Sequence, residues 1–125
     1  CKLYQKELFE NILYATSEFG EDDATTWKIY LLADRIVYTH KAALIYRVNE
    51  DSMTEQSNDA TTFAVEYVED RLALLSLLGF DLSEEIKAWE WRSVLKEQHA
   101  LETVDIKSYK DYHFKRLLFN KYRNT

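Results

Sequence analysis

The sequence predicts an all-α protein, a single helical domain over residues 1–125 built as a bundle of about five helices around a central αα-hairpin. Three observations carry this reading. The chain has no proline and two glycines, Gly20 and Gly79, whereas a sheet protein needs many turns and turns draw on Gly and Pro. Apolar residues recur at three- and four-residue spacing through most of its length, which is the helical period. With 46% hydrophobic and 14% aromatic residues it has ample material for a packed interior and too much for a disordered chain.

The first helix is expected over residues 3–19, with Leu8, Ile12, Ala15 and Phe19 on one face and Gly20 as its stop. Glu21-Asp22-Asp23 follows as an acidic turn, whose last residue can cap the next helix while all three complement its dipole. That second helix is expected to be long, over 24–48, with two apolar stripes. One holds Ile29, Leu32, Ala33, Ile36 and Ala43 and includes His40. The other holds Trp27, Leu31, Tyr38, Ile45 and Val48 and includes Asp34 and Lys41. A helix with two apolar faces belongs in the middle of a bundle, so Asp34 and His40 become the candidate partly buried polar groups. Residues 49–59 (NEDSMTEQSND) have no apolar periodicity and read as an exposed, mobile loop.

The hairpin occupies 59–102. Its first arm carries Ala64, Tyr67, Val68, Leu72, Leu75 and Leu78 on one stripe, with Thr62, Glu66, Glu69 and Asp70 opposite. The stretch from Leu72 to Leu78 is apolar on nearly every side and is expected to be surrounded by other helices. Gly79 supplies the left-handed stop, with Phe80 as the contact behind it. Asp81-Leu-Ser-Glu84 has capping-box spacing for the second arm. On that arm Trp89 and Trp91 are two residues apart, so they cannot both face the first arm, and the inward one is expected beside Val94, Leu95 and Leu101. A last helix over 106–122, capped by Asp105 or Ser108, interleaves basic and aromatic residues.

Charge is unevenly spread. The net charge is −6, yet residues from Asp105 onward are net basic and everything before them is strongly acidic. This predicts that the last helix docks its aromatics on an acidic bundle. No apolar run is long enough for a membrane span, and no signal-peptide pattern is visible. The one cysteine, Cys1, excludes an internal disulfide framework, and the compartment expected is the cytoplasm.

Few constellations offer chemistry. Glu66, Glu69 and Asp70 could hold Mg²⁺ only with a second acidic helix, and the spacing elsewhere, Glu7 and Glu10 with Asp34 later, does not supply one. His40, His99 and His113 lie on separate predicted helices without ligand spacing, so no metal and no cofactor is expected. Arg92 and His99 share a helix face two turns apart. An Arg and a His at this separation in a small all-α protein is similar to the motif of the HEPN ribonucleases. That resemblance implies metal-independent RNA cleavage with His99 moving protons and Arg92 steadying the phosphate, although Ser93 departs from the family's residue after the Arg.

The function expected from sequence is a small regulator, inhibitor or immunity-type factor that binds a basic protein partner, with homodimerisation as a second outlet. Trp89, Trp91, Tyr109, Tyr112, Lys115 and Arg116 are its expected partner-binding residues, Trp and Tyr being the usual interface anchors. The alternatives are the Arg92/His99 ribonuclease and nucleic-acid contact through the basic, aromatic last helix.

Overall fold

In a computed structural model of the chain, residues 2–16, 19–52 and 57–123 are described, and every regular element among them is a helix. They fall into two compact units, Cys1–Ser57 and Asn58–Thr125.

Among the described residues of the first unit one turn of 3-10 helix, Lys6–Phe9, precedes one α-helix, α1, at Glu21–Leu32. Gly20 stands at the N-terminal boundary of α1 with φ 74°, a left-handed turn that glycine enters without strain. Glu21, Asp22 and Asp23 fill the first turn. Of the helix expected over 3–19 the described residues form one 3-10 turn, with residues 17 and 18 outside them, and the helix expected over 24–48 ends at Leu32, where Ala33 turns extended at φ −73° and ψ 126°.

The reason is packing. A helix in water owes most of its stability to burying an apolar face, and among the described residues of this unit only Thr25 and Ile29 are buried. Leu3 and Leu13 are almost fully exposed. Beyond Leu32 the β-branched and aromatic residues stay exposed, and with no apolar face buried they form no helix. Asp34 and His40, expected to be partly buried, are both exposed, and the His40 ring only meets Tyr38 edge-on at 4.9 Å. The loop expected over 49–59 falls in part on residues 53–56, outside the described residues. At its start the Asp51 N–H donates to Asn49 Oδ1 at 3.1 Å.

The second unit contains α2 (Asp59–Thr62), α3 (Val65–Leu78), α4 (Ser83–Glu102) and α5 (Ile106–Arg123). Asn58 caps α2 by accepting the Thr61 N–H at 2.9 Å. α3 and α4 run antiparallel. Arg71 pairs with Glu85, Glu69 meets Trp89 and Glu66 pairs with Lys96, so positions fall along one helix as they rise along the other. The core is Val65, Val68, Trp89 and Tyr112, with Leu72, Ala88 and Phe119 packed against it. On α4 the buried residues are Trp89, Ser93, Glu97 and Ala100, one stripe at helical spacing. That stripe replaces the Val94, Leu95 and Leu101 face expected from sequence, and Leu101 is exposed.

Two expectations about the hairpin need correction. Asp81 and Glu84 do not form a capping box. Asp81 Oδ1 instead accepts both the backbone N–H and the hydroxyl of Ser83, at 3.1 and 2.6 Å, while Glu84 pairs with Lys87 at 2.7 Å. These local bonds, Ser83 first, hold the Asp81 carboxyl below its usual range. The Leu72–Leu78 stretch is not surrounded either, with Leu77 83% exposed. α4 lies along one side of α3 and α5 reaches it through side chains, which leaves the far side of α3 open.

Both long helices that precede a turn end in the same way. After α3 the Phe80 N–H returns to Leu75 O and the Gly79 N–H to Ser76 O, and after α4 the Asp105 N–H returns to Ala100 O and the Val104 N–H to Leu101 O. This is the Schellman pattern, which demands a left-handed residue. Gly79 meets the demand at φ 75°, but the second turn uses Val104 at φ 58°. A β-branched residue there is strained by about 1–2 kcal/mol. Val104→Gly is therefore expected to stabilise this unit by about 0.5–1 kcal/mol, the gain being trimmed by glycine's greater freedom in the unfolded chain. Gly79→Val should destabilise it. Paired urea titrations followed by circular dichroism check both signs.

Candidate functional site

The charged groups of the second unit are largely engaged with one another. Glu69 on α3 accepts the Trp89 indole N–H at 3.1 Å, the Tyr112 hydroxyl at 3.4 Å and the Lys115 ammonium at 3.2 Å. Lys115 also pairs with Asp111 at 3.2 Å and lies 4.4 Å from the centre of the Tyr112 ring. Burial pushes the Lys115 amine down, but its bonds to Glu69 and Asp111 outweigh that and leave it above its usual value. Burial, reinforced by Glu66 and Glu69, pushes the Tyr112 phenol well up.

A second knot joins α4 to α5. Glu97 is buried and accepts from His113 Nδ1 at 2.8 Å and from Arg116 Nη1. Burial pushes the Glu97 carboxyl up, yet the bonds from His113 and Arg116 prevail and hold it below the usual glutamate range. The last helix, expected to dock its aromatics on an acidic bundle, adds ion pairs from its Lys115, Arg116 and His113 to Glu69 and Glu97.

The residues singled out in the sequence are accordingly scattered. Trp89 is inside against Phe119 at 5.1 Å, while Trp91 is half exposed beside Phe63 at 5.2 Å. Tyr112 is buried, and Tyr109 stacks on His113 at 5.4 Å. Lys115 and Arg116 face the interior acids Glu69 and Glu97. Arg92 donates to the carbonyl of Ala64 at 3.2 Å and its guanidinium lies 5.7 Å from the Phe63 ring. It therefore braces the start of α3. Among the described residues no three His, Cys, Asp or Glu groups converge on a point, and Cys1 lies outside the described residues. An open groove of about 320 Å³ lined by Leu72, Ile86, Trp89, Lys115, Leu118 and Phe119 is almost wholly apolar. Its single charged group is the already paired Lys115, so it offers no general acid or base.

A further cluster of carboxylates lies in the other unit. Glu21, Asp22 and Asp23 occupy the first turn of α1, where the helix N-terminus favours negative charge. The Tyr14 hydroxyl donates to Asp22 Oδ1, and the Ala15 N–H donates to Thr25 Oγ1 at 3.0 Å. The segment before the helix is thereby tied back over its first turns. Asp22, first of all, and burial second raise the Tyr14 phenol above its ordinary value. Sequence reasoning gave this triplet a capping and dipole-complementing role alone. The signal it passed over is quantity, because three consecutive acids are more than a cap requires.

Fold and charge together describe an all-helical chain with a self-neutralised scaffold in one unit and an acidic helix turn in the other. No known family matches the chain, and no solved structure does. Two curated proteins of Streptococcus pneumoniae serotype 4 (strain TIGR4) do. Glycosyltransferase GlyA is 27% identical over 123 residues, covering 96% of this chain and 18% of GlyA. Glycosyltransferase GlyG is 29% identical over 126 positions, covering 94% of this chain and 40% of GlyG. The chain thus spans less than half the length of either relative. This likeness overturns the regulator, inhibitor or immunity-type reading, and with it the Arg92/His99 ribonuclease and the nucleic-acid alternative. Arg92 bound to Ala64 and basic groups spent on Glu69 and Glu97 are the physical side of that correction. No helix among the described residues is long and apolar enough to cross a membrane.

Proposed function

We propose that the chain is a segment of a glycosyltransferase. In this reading the hairpin of α3 and α4 with α5 is scaffold, and Glu21–Asp23 supplies the carboxylates. The observation that carries it is the extent of the likeness, which runs through at least 94% of the chain in two glycosyltransferases and so through both units. Glycosyl transfer breaks the bond between the anomeric carbon and its leaving oxygen and joins that carbon to an acceptor oxygen. The acceptor's proton must pass to a base, and a carboxylate within reach of solvent suits that task. The second unit's Glu66, Glu69, Glu85 and Glu97 are engaged by Lys96, Lys115, Arg71 and Arg116. Asp22 is exposed, with its direction fixed by Tyr14. In keeping with the single cysteine, we place the chain in the cytoplasm.

The test is turnover by the natural full-length polypeptide with a panel of nucleoside-diphosphate sugars, read as release of nucleoside diphosphate. Asp22→Asn is expected to lower it about 10²- to 10⁴-fold, the range for loss of a general base. Glu84→Gln, at an exposed ion pair of α4, should leave it unchanged. Absence of release from every donor by the unaltered protein would sink the enzyme reading. Turnover by Asp22→Asn within threefold of the unaltered protein would move the base elsewhere.

A further inference from the structure

Residues 35–48, RIVYTHKAALIYRV, are what the fold and the proposed activity leave unexplained. Their backbone forms neither helix nor paired strand. Ile36, Val37 and Tyr38 are 65%, 76% and 81% exposed, and Ile45, Tyr46 and Val48 are 96%, 80% and 77% exposed. Among the described residues the one hydrogen bond made by a backbone group of this stretch runs from the Lys41 N–H to Thr39 Oγ1, at 3.3 Å. A non-helical segment with bare amides and carbonyls and large apolar side chains is a template for strand pairing, and native proteins do not leave one open.

The pattern says what kind of pairing it fits. Thr39, His40 and Lys41 divide the stretch into two apolar runs, Ile36–Tyr38 and Ala42–Tyr46, both within the roughly 3–10 residues usual for a strand. Both runs are rich in β-branched and aromatic residues. In an extended chain Ile36 and Tyr38 point to one side and Val37 to the other, and Tyr46 and Val48 point opposite Ile45. Apolar residues on both faces mark strands covered on both faces, as in a sheet sandwiched between helices. A strand with one wet face would alternate apolar with polar. Among the described residues no strand is present to pair with it, every regular element being a helix. The relatives carry this segment in chains of which the present one covers 18% and 40%, so polypeptide able to supply the neighbouring strands exists beside it there.

We infer that residues 35–48 form two strands of a β-sheet whose other strands come from polypeptide outside residues 1–125, with covering elements on both of its faces. The inference uses the relatives' length and not their activity, so it can fail while the glycosyltransferase reading stands, and the reverse.

Amide hydrogen exchange, followed by mass spectrometry on peptides covering 35–48, tests it in the natural full-length polypeptide and in the 125-residue chain. The expected result is exchange at least about 100-fold slower in the full-length protein, the protection a closed strand ladder gives. Ile45→Lys should cut that protection at least tenfold in the full-length protein and change nothing in the 125-residue chain. Equally fast exchange in both would overturn the inference. So would protection already present in the 125-residue chain together with a dimer mass by light scattering, which would make a second copy the partner. Protection accompanied by helical carbon chemical shifts would overturn it as well.

Discussion

Trp89→Ala is expected to cost the helical unit about 3–5 kcal/mol, and Trp91→Ala, two residues along the same helix, about 0.5–1 kcal/mol. The difference is environment alone. Trp89 is 8% exposed and sits in the core with Val65, Val68 and Tyr112. Its ring meets Phe119 at 5.1 Å and its indole N–H is bound by Glu69 at 3.1 Å. Truncating it opens a cavity between three helices and strips Glu69 of one donor. Trp91 is 49% exposed and touches Phe63, so its loss returns one ring face to water. In a unit of this size each kcal/mol moves the midpoint by about 4–8 °C. Trp89→Ala should therefore melt more than about 12 °C below the unaltered chain by circular dichroism, and Trp91→Ala no more than about 8 °C below. Trp89→Phe separates the two parts of the effect. It keeps most of the packing and loses the bond to Glu69, for about 1–2 kcal/mol. Equal costs for the two alanine variants would mean that α4 presents a different face to the core.

This pair also shows how far the sequence could be read. That Trp89 and Trp91 must part company followed from their spacing on a helix. Which one turned inward did not, because the choice depends on α5, whose Phe119 lies 30 residues away. Gly79 was legible because a left-handed stop leaves a mark in the sequence. Val104 was not, since nothing local marks a valine held left-handed by the bonds of the turn around it. The helical period of residues 24–48 was real as a pattern but described helices that nothing in the first unit could cover. Periodicity reports where apolar side chains would fall if a helix formed, and packing decides whether it forms. The function was less legible still. The carboxylates proposed for transfer sit in an acidic first turn of α1, a place where Asp and Glu are common for dipole reasons. The conspicuous Arg92 and His99 proved to be a brace and a helix end, Arg92 holding Ala64 and the His99 carbonyl accepting from Thr103.

Glu97 carries the second large effect, and it went unremarked in the sequence because a lone glutamate on a helix ordinarily points to water. Its side chain is 12% exposed, whereas Arg116 and His113, which bind it from α5, are 32% and 46% exposed. The asymmetry sets the order of costs. Glu97→Gln leaves two cations that can turn to solvent and should cost about 1 kcal/mol. Arg116→Met leaves a carboxylate buried with one partner fewer and should cost about 2–3 kcal/mol at neutral pH. The pH dependence separates the variants further. The folded Glu97 carboxyl lies below its ordinary value, so its contribution is present above the unfolded glutamate value of about 4.3 and is lost as pH falls through the folded one. Glu97→Gln removes that loss. In Arg116→Met the carboxyl rises, because one of the groups holding it down is gone while its burial remains, and the same acidification then costs less. Unfolding titrations between about pH 3 and 7 should accordingly show the gap between the unaltered chain and Arg116→Met closing as the pH falls. A gap constant across that range would mean that Arg116 contributes by packing its aliphatic stem and not by holding Glu97 ionised.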